Sequence, residues 1–212
     1  MNSLLYINGL NPNGGVKAAE LQELEALGRQ GINAEAADVD WRREEFFDNI
    51  INRLESRTRE LAELGSVAIV GFSAGGSMAM NVFGRVRDLD NATAVSIAGR
   101  LAEGEMSIWN PRHLAHAAHV SSVLPDGVQY PNFYHSVVHF ERKVLPTLSD
   151  EDKQRLLVLK PKHDFVVPLS TMEIDGVRTM EVPVYMHNQA ATLGLGLVGA
   201  GIARDLRLEA ES

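Results

Sequence analysis

The chain of 212 residues contains no cysteine. That absence removes thiol nucleophiles, disulfides and Cys-ligated metals together. Basic runs are missing too: none is longer than Arg42–Arg43, and the net charge is -8. A polyanion such as nucleic acid is therefore not an expected partner. Long apolar runs are also lacking. The longest weakly polar stretch, residues 190–203, is too short and too rich in glycine to span a bilayer. The N-terminus reads as a strand and not as a basic region followed by an apolar segment. These absences predict a soluble, cytoplasmic protein with no membrane span. No Pro/Ser/Gly linker, charge shift, internal repeat or low-complexity segment divides the chain, and 45% of it is hydrophobic. A single α/β domain over residues 1–212 is the expectation.

What the chain does have is centred on residues 67–80, VAIVGFSAGGSMAM. Four apolar residues, Val67 to Val70, read as a buried strand. They run into Gly71-Phe72-Ser73-Ala74-Gly75, and a helix of small residues, Gly76 to Val86, follows at once. Reversing from strand to helix in so few residues strains the central backbone, and side chains on either side would clash unless they are very small. Gly71, Ala74, Gly75 and Gly76 supply that room. The serine at the apex stands above the C-terminal edge of the sheet, with the Ala74 N–H and the positive end of the helix directed at the same point.

In chain order, residues 3–8 (SLLYIN) read as a strand that breaks at Gly9 into the turn cluster Asn11 to Gly15. A helix follows from about Val16 to Gln30, with Leu21, Leu24 and Leu27 on its apolar side and Gly31 as its stop. Ile32 to Val39 is the second strand. Asp40 is then expected to cap the longest helix, whose apolar face is Phe47, Ile50, Ile51, Leu54, Leu61 and Leu64 and whose Arg and Glu residues form a solvated face. After the serine turn come three more short apolar strands: Ala92 to Ala98, Leu156 to Lys160 and Glu181 to Met186. Strands alternating with helices predict a doubly wound, mostly parallel sheet of about six strands with helices on both faces. A last helix, about Gln189 to Leu208, carries Gly194, Gly196, Gly199 and Gly201, read as close packing on the sheet.

Ligands of open parallel sheets bind at the carboxyl ends of the strands. Three reactive residues fall there: Ser73 after the third strand, Asp164 in the loop PKHDFVVP after the fifth, and His187 directly after the sixth. His163 is the rival base and Asp175 the rival acid. His163 is adjacent to Asp164 in the chain, where loop side chains diverge, and Asp175-Gly176 reads as a separate turn.

Gly71-Phe72-Ser73-Ala74-Gly75 in its strand-turn-helix setting, the order Ser, Asp, His, and an Asp shortly before Val167-Pro168 together resemble the α/β-hydrolases. The resemblance runs from Asn8 to His187, without the two extra N-terminal strands many members have. It implies a serine hydrolase of minimal form that needs no cofactor. Ser73 would be the nucleophile, His187 the base that returns its proton to the leaving group, and Asp164 the group that fixes the tautomer. The oxyanion would meet the N–H groups of Ala74 and Leu10. Two departures stand out. Asn8-Gly9 occupies a place where many members have His-Gly, and His187 is followed by Asn188 where Gly is common. The implied substrate is a small ester or thioester. A non-catalytic small-molecule binding or interaction protein, and an amidase or peptidase with the same residues, remain open on the same fold.

Residues 99–154 are long for a simple crossover and are expected to form a pocket wall or lid. Asn110-Pro111 reads as a helix start, followed by His113, His116 and His119. A second helix near Asn132 presents Phe133, Val137, Phe140 and Val144 on one face and His135 and His139 on another, before Pro146. No carboxylate constellation accompanies these histidines, so no metal is expected. Asn8, Phe72, His135 and His139 are the expected substrate-pocket residues.

Overall fold

A computed structural model describes residues 2–11, 15–39, 41, 45–103 and 130–210, with side chains up to residue 201. Strand β1 (Ser3–Ile7) is buried along its whole length, as is β3 (Val67–Phe72), and β4 (Ala92–Ile97) is buried at every position but one. Continuous apolar runs of this kind are what strands covered on both faces require. Strand β2 (Asn33–Ala37) and strand β6 (Arg178–Val182) are polar and partly exposed, and they form the two edges. With β5 (Leu156–Pro161) they make one six-stranded parallel sheet in the order β2-β1-β3-β4-β5-β6.

Helices cover both faces. Helix α1 (Ala18–Arg29) and the terminal helix α6 (His187–Ala210) pack together on one face. Helices α2 (Phe47–Ala62), α3 (Ala74–Val86) and α4 (Pro131–His139) pack together on the other. Neighbouring residues of β4 show the two sides. The Ser96 hydroxyl lies against Gly76 of α3, while the Ile97 side chain lies against Gly194 of α6, 2.7 Å from where a methyl carbon would stand. The short helix α5 (Asp150–Gln154) leads into β5, started by a capping box between Ser149 and Asp152. Fully buried Leu4, Ile7, Ile69, Phe83 and Val158 belong to the core. Each such side chain stabilises the fold by about 1.5–3 kcal/mol.

The expectation of a doubly wound parallel sheet holds, but several boundaries differ. The sixth strand is Arg178–Val182 and not 181–186. Leu157 to Pro161 pair with Arg178 to Val182, and Pro183 and a tight Val184 N–H to Val182 C=O turn (2.8 Å) end the pairing. His187 therefore opens α6 and does not follow directly on a strand. Helix α2 begins at Phe47, because Phe46 is extended (φ -70°, ψ 143°), and Asp40 lies outside the described residues. Leu64 falls beyond the helix end and is half exposed, as is Leu21 on α1.

Charged residues of α2 form surface pairs: Arg57 with Glu35 and Glu60, and Arg59 with Glu55 and Asp88. In water such pairs contribute about 0–1 kcal/mol each. The glycines of α6 divide. Gly194 packs on Ile97 of the sheet and Gly199 on Leu27 of α1, whereas a Cβ on Gly196 or Gly201 would meet nothing within 4 Å among the described residues.

From the long region between β4 and β5, residues 104–129 lie outside the description, and with them Asn110-Pro111, His113, His116 and His119. The remainder forms α4, continued by a wide turn (Phe140–Val144) and a tight one (Leu145–Thr147) that contains Pro146. Phe133, Val137, Phe140 and Val144 are all buried, as their spacing predicts.

Candidate active site

The strand order reverses direction between β1 and β3, since the chain leaves β1 toward β2 and returns to β1's other side. The loops after these two strands therefore open a crevice at the carboxyl edge. Register fixes what meets there. Ile7 pairs with Gly71, so Gly9 comes alongside Ser73. A methyl carbon on Gly9 would stand 2.9 Å from Ser73 Cβ and 3.1 Å from the Phe72 ring.

Ser73 has φ 54° and ψ -117°, outside the regions open to most side chains. The surroundings hold it there. Its N–H donates to the Ile97 carbonyl at 2.9 Å, and its own carbonyl accepts from Gly76 N–H at 3.0 Å. Gly75 is obligatory, because a Cβ there would collide with the Ile7 carbonyl, and one on Gly71 would collide with the Gly75 peptide. Ser73 stays partly exposed at the end of a buried strand, and Ala74 is the first residue of α3.

Asp164 lies two residues beyond the last paired β5 backbone, Lys162, whose N–H bonds to Val182 C=O at 3.0 Å. Its side chain is fully buried. Oδ1 accepts from the N–H groups of Val166 (2.7 Å) and Val167 (2.9 Å), and Oδ2 is 2.6 Å from His187 Nδ1. The His187 ring lies 4.9 Å from the Phe72 ring, which brings the imidazole over the residue preceding Ser73. Its Nε2 is buried with no hydrogen-bond partner among the described residues, Ser73 Oγ included. Bonds of this kind commonly close only in the complex with substrate.

The rivals are placed elsewhere. His163 is exposed and stacks on Tyr185, with ring centroids 5.3 Å apart, and Asp175 is exposed beside the left-handed Gly176 (φ 77°). Among the expected pocket residues, Phe72 is buried between Gly9 and His187. Asn8 is buried too, and its amide donates to Gly15 C=O at 2.9 Å, which braces the loop carrying Leu10. His135 and His139 face α2. His135 stacks on Phe47 with centroids 4.4 Å apart, and His139 Nδ1 is 2.8 Å from Asn81 Oδ1. Asn81 is two turns along α3 from Ser73, about 12 Å away at 1.5 Å per residue. The contacts these two histidines make are with Phe47 and Asn81 and not with Ser73. Burial, and then the nearby His135, hold His139 below the usual histidine range.

Sequence reasoning missed one cluster beside this site. Glu20 is 3% exposed on the inner face of α1, Tyr6 is beside it, and burial pushes both of their pKa values up. The signal was there: Glu20, Leu24 and Leu27 share the i, i+4, i+7 row that is buried. Lys17, at the start of α1, reaches Asn188 at 3.0 Å and ties that helix to the first turn of α6.

No protein-family model and no curated relative matches the sequence. Solved structures do match the fold. That of ClbQ, from the colibactin NRPS/PKS pathway, is 14% identical with a TM-score of 0.58 and covers 100% of this chain and 99% of its own. The monoacylglycerol lipase of Paleococcus ferrophilus is 13% identical, with a TM-score of 0.53 over 93% of this chain and 94% of its own. An α/β hydrolase superfamily protein of Enterococcus faecalis is 12% identical, with a TM-score of 0.51 over 96% and 90%. The chain has the α/β-hydrolase fold.

Proposed function

We propose that this protein is a serine hydrolase that cleaves a small carboxylic ester or thioester through an acyl-enzyme. One observation carries the reading: the buried Asp164 carboxylate, pinned by two backbone N–H groups, holds His187 Nδ1 at 2.6 Å while His187 lies over the strained Phe72–Ser73 turn. Such an arrangement has a chemical use. With its Nδ1–H given to Asp164, the imidazole keeps Nε2 as a lone pair, and that atom takes the Ser73 proton as Oγ attacks the carbonyl carbon. The negative charge moves to the carbonyl oxygen, where the N–H groups of Ala74 and Leu10 receive it. His187 then hands the proton to the leaving oxygen or sulfur as the bond breaks. Water repeats the sequence on the acyl-enzyme and releases the acid.

The similar fold of a monoacylglycerol lipase supports an ester bond as the target. Every group in this scheme belongs to the chain, so no cofactor is invoked, and the partner is a small-molecule substrate. A panel of p-nitrophenyl esters and acyl thioesters of increasing chain length tests the reading. Turnover by the wild type that disappears in Ser73→Ala is expected. Equal rates in the two proteins would remove Ser73 from the chemistry.

A further inference from the structure

Behind the loop that carries Leu10 lies a group of buried polar atoms that the reaction does not use. Asn8 is 2% exposed, and its Nδ2 donates to Gly15 C=O at 2.9 Å. That bond fixes the orientation of the amide, because a flipped side chain would set oxygen against oxygen. Oδ1 is thereby turned away from Gly15, and it is buried with no hydrogen-bond partner among the described residues. The Glu20 carboxyl group is enclosed as well, with the Tyr6 hydroxyl beside it. Its backbone contact, from Lys17 N–H to Oε2, is long at 3.4 Å, and Lys17's ammonium is engaged with Asn188 at the surface.

Between these groups is a small cavity lined by Asn8, Gly9, Leu10, Asn11, Glu20 and Phe72, among others. About 10 Å³ of it is open to the centre of a water molecule, which is room for one. Asn8 and Glu20 both line this space, and an amide oxygen and a carboxylate cannot satisfy each other. A water has two protons to give, one to each.

We propose that Glu20 is a positioning residue for the oxyanion loop, acting through one water bound between its carboxyl group and the amide oxygen of Asn8. The inference rests on the serine-hydrolase reading. Gly9 is pressed against Ser73 with no room for a methyl group, so the Gly9–Leu10 peptide lies directly beside the nucleophile and a small shift of the loop is felt there. Asn8 precedes it directly, and the water ties Asn8 to α1. When the tie is lost the loop relaxes, and the Leu10 N–H leaves the point where the oxyanion forms. A donor displaced in this way affects the transition state more than the ground state, so kcat should respond and KM should not.

Two measurements test this. A high-resolution crystal structure of the wild type should show one water within about 3.2 Å of both Asn8 Oδ1 and a Glu20 oxygen; a cavity without it overturns the proposal. In kinetics with an activated ester, Glu20→Leu should lower kcat about 10- to 100-fold with KM within about twofold. Glu20→Gln, which can still bond to the water, should recover all but about threefold of kcat. The proposal fails if folded Glu20→Leu keeps wild-type kcat, or if Glu20→Gln loses as much as Glu20→Leu. Should Glu20→Leu not fold, the Gln variant and the crystal structure still decide. Wild type without any esterase activity would instead overturn the serine-hydrolase reading, a separate result.

Discussion

Asp164 divides its two carboxylate oxygens between backbone and His187. Oδ1 takes the N–H groups of Val166 and Val167 at 2.7 and 2.9 Å, and Oδ2 takes His187 Nδ1 at 2.6 Å. The backbone bonds make this an orienting device. In Asp164→Asn the amide oxygen must stay with the two N–H donors, so the NH₂ group faces Nδ1. The imidazole then carries its proton on Nε2 and cannot accept one from Ser73. Activity of Asp164→Asn should fall by about 10³- to 10⁴-fold with the fold retained, as kcat and thermal unfolding can check. Retention of more than about a tenth of wild-type kcat would contradict the role.

Gly9 tests the oxyanion side. A methyl group there would press on Ser73 Cβ and on Phe72, so the loop must move by a few tenths of an ångström. Gly9→Ala should lose at least about tenfold in kcat/KM, measured with one activated ester, while remaining folded by circular dichroism. A variant with unchanged kcat/KM would show that the loop position does not matter.

Gly75 should report on stability instead. Its Cβ would enter the Ile7 carbonyl and crowd that of Asn8, and these backbone atoms include no side chain that could yield. Gly75→Ala should be destabilised by about 3 kcal/mol or more in urea unfolding. A loss under about 1 kcal/mol would mean that the elbow is looser than described.

His139 supplies a pH dependence of stability. Its folded-state pKa is held below the ordinary value of 6.5, first by burial and then by His135. As pH falls below that value the unfolded chain takes up the proton first, so the contribution is present above it and is lost on acidification. Between about pH 7.5 and pH 5 the Tm of the wild type should fall more than that of His139→Gln, whose amide can still donate to Asn81. Parallel curves would contradict the sign.

Much of this was legible in the sequence, for reasons the structure makes plain. Val67 to Val70 is apolar without interruption because β3 is covered on both faces, and the Gly-rich turn has to be Gly-rich because Gly71 and Gly75 touch backbone. Ser73, Asp164 and His187 were marked by their positions after strands. The edge strand β6 was displaced because Arg178 and Thr179 are exposed and carry no apolar signal. The run 181–186 looked like a strand because it is apolar, yet Pro183 takes its middle out of the sheet. His135 and His139 were read from the helix face they share in the long insertion, and that face does not foretell their contacts with Phe47 and Asn81. Glu20 escaped notice because a charged residue on a helix is ordinarily read as solvated; only its place in the Leu24–Leu27 row betrays it.

The central claim is that Ser73, His187 and the two N–H groups act as one assembly. A fluorophosphonate measures this directly, since it captures a serine only when a base activates the hydroxyl and donors stabilise the phosphoryl oxygen. Intact-mass and peptide spectrometry of wild type treated with the reagent should show one adduct per chain, on Ser73, with labelling abolished in Ser73→Ala and nearly so in His187→Ala. Folded wild type that remains unlabelled, or that labels equally well after His187→Ala, would contradict the account.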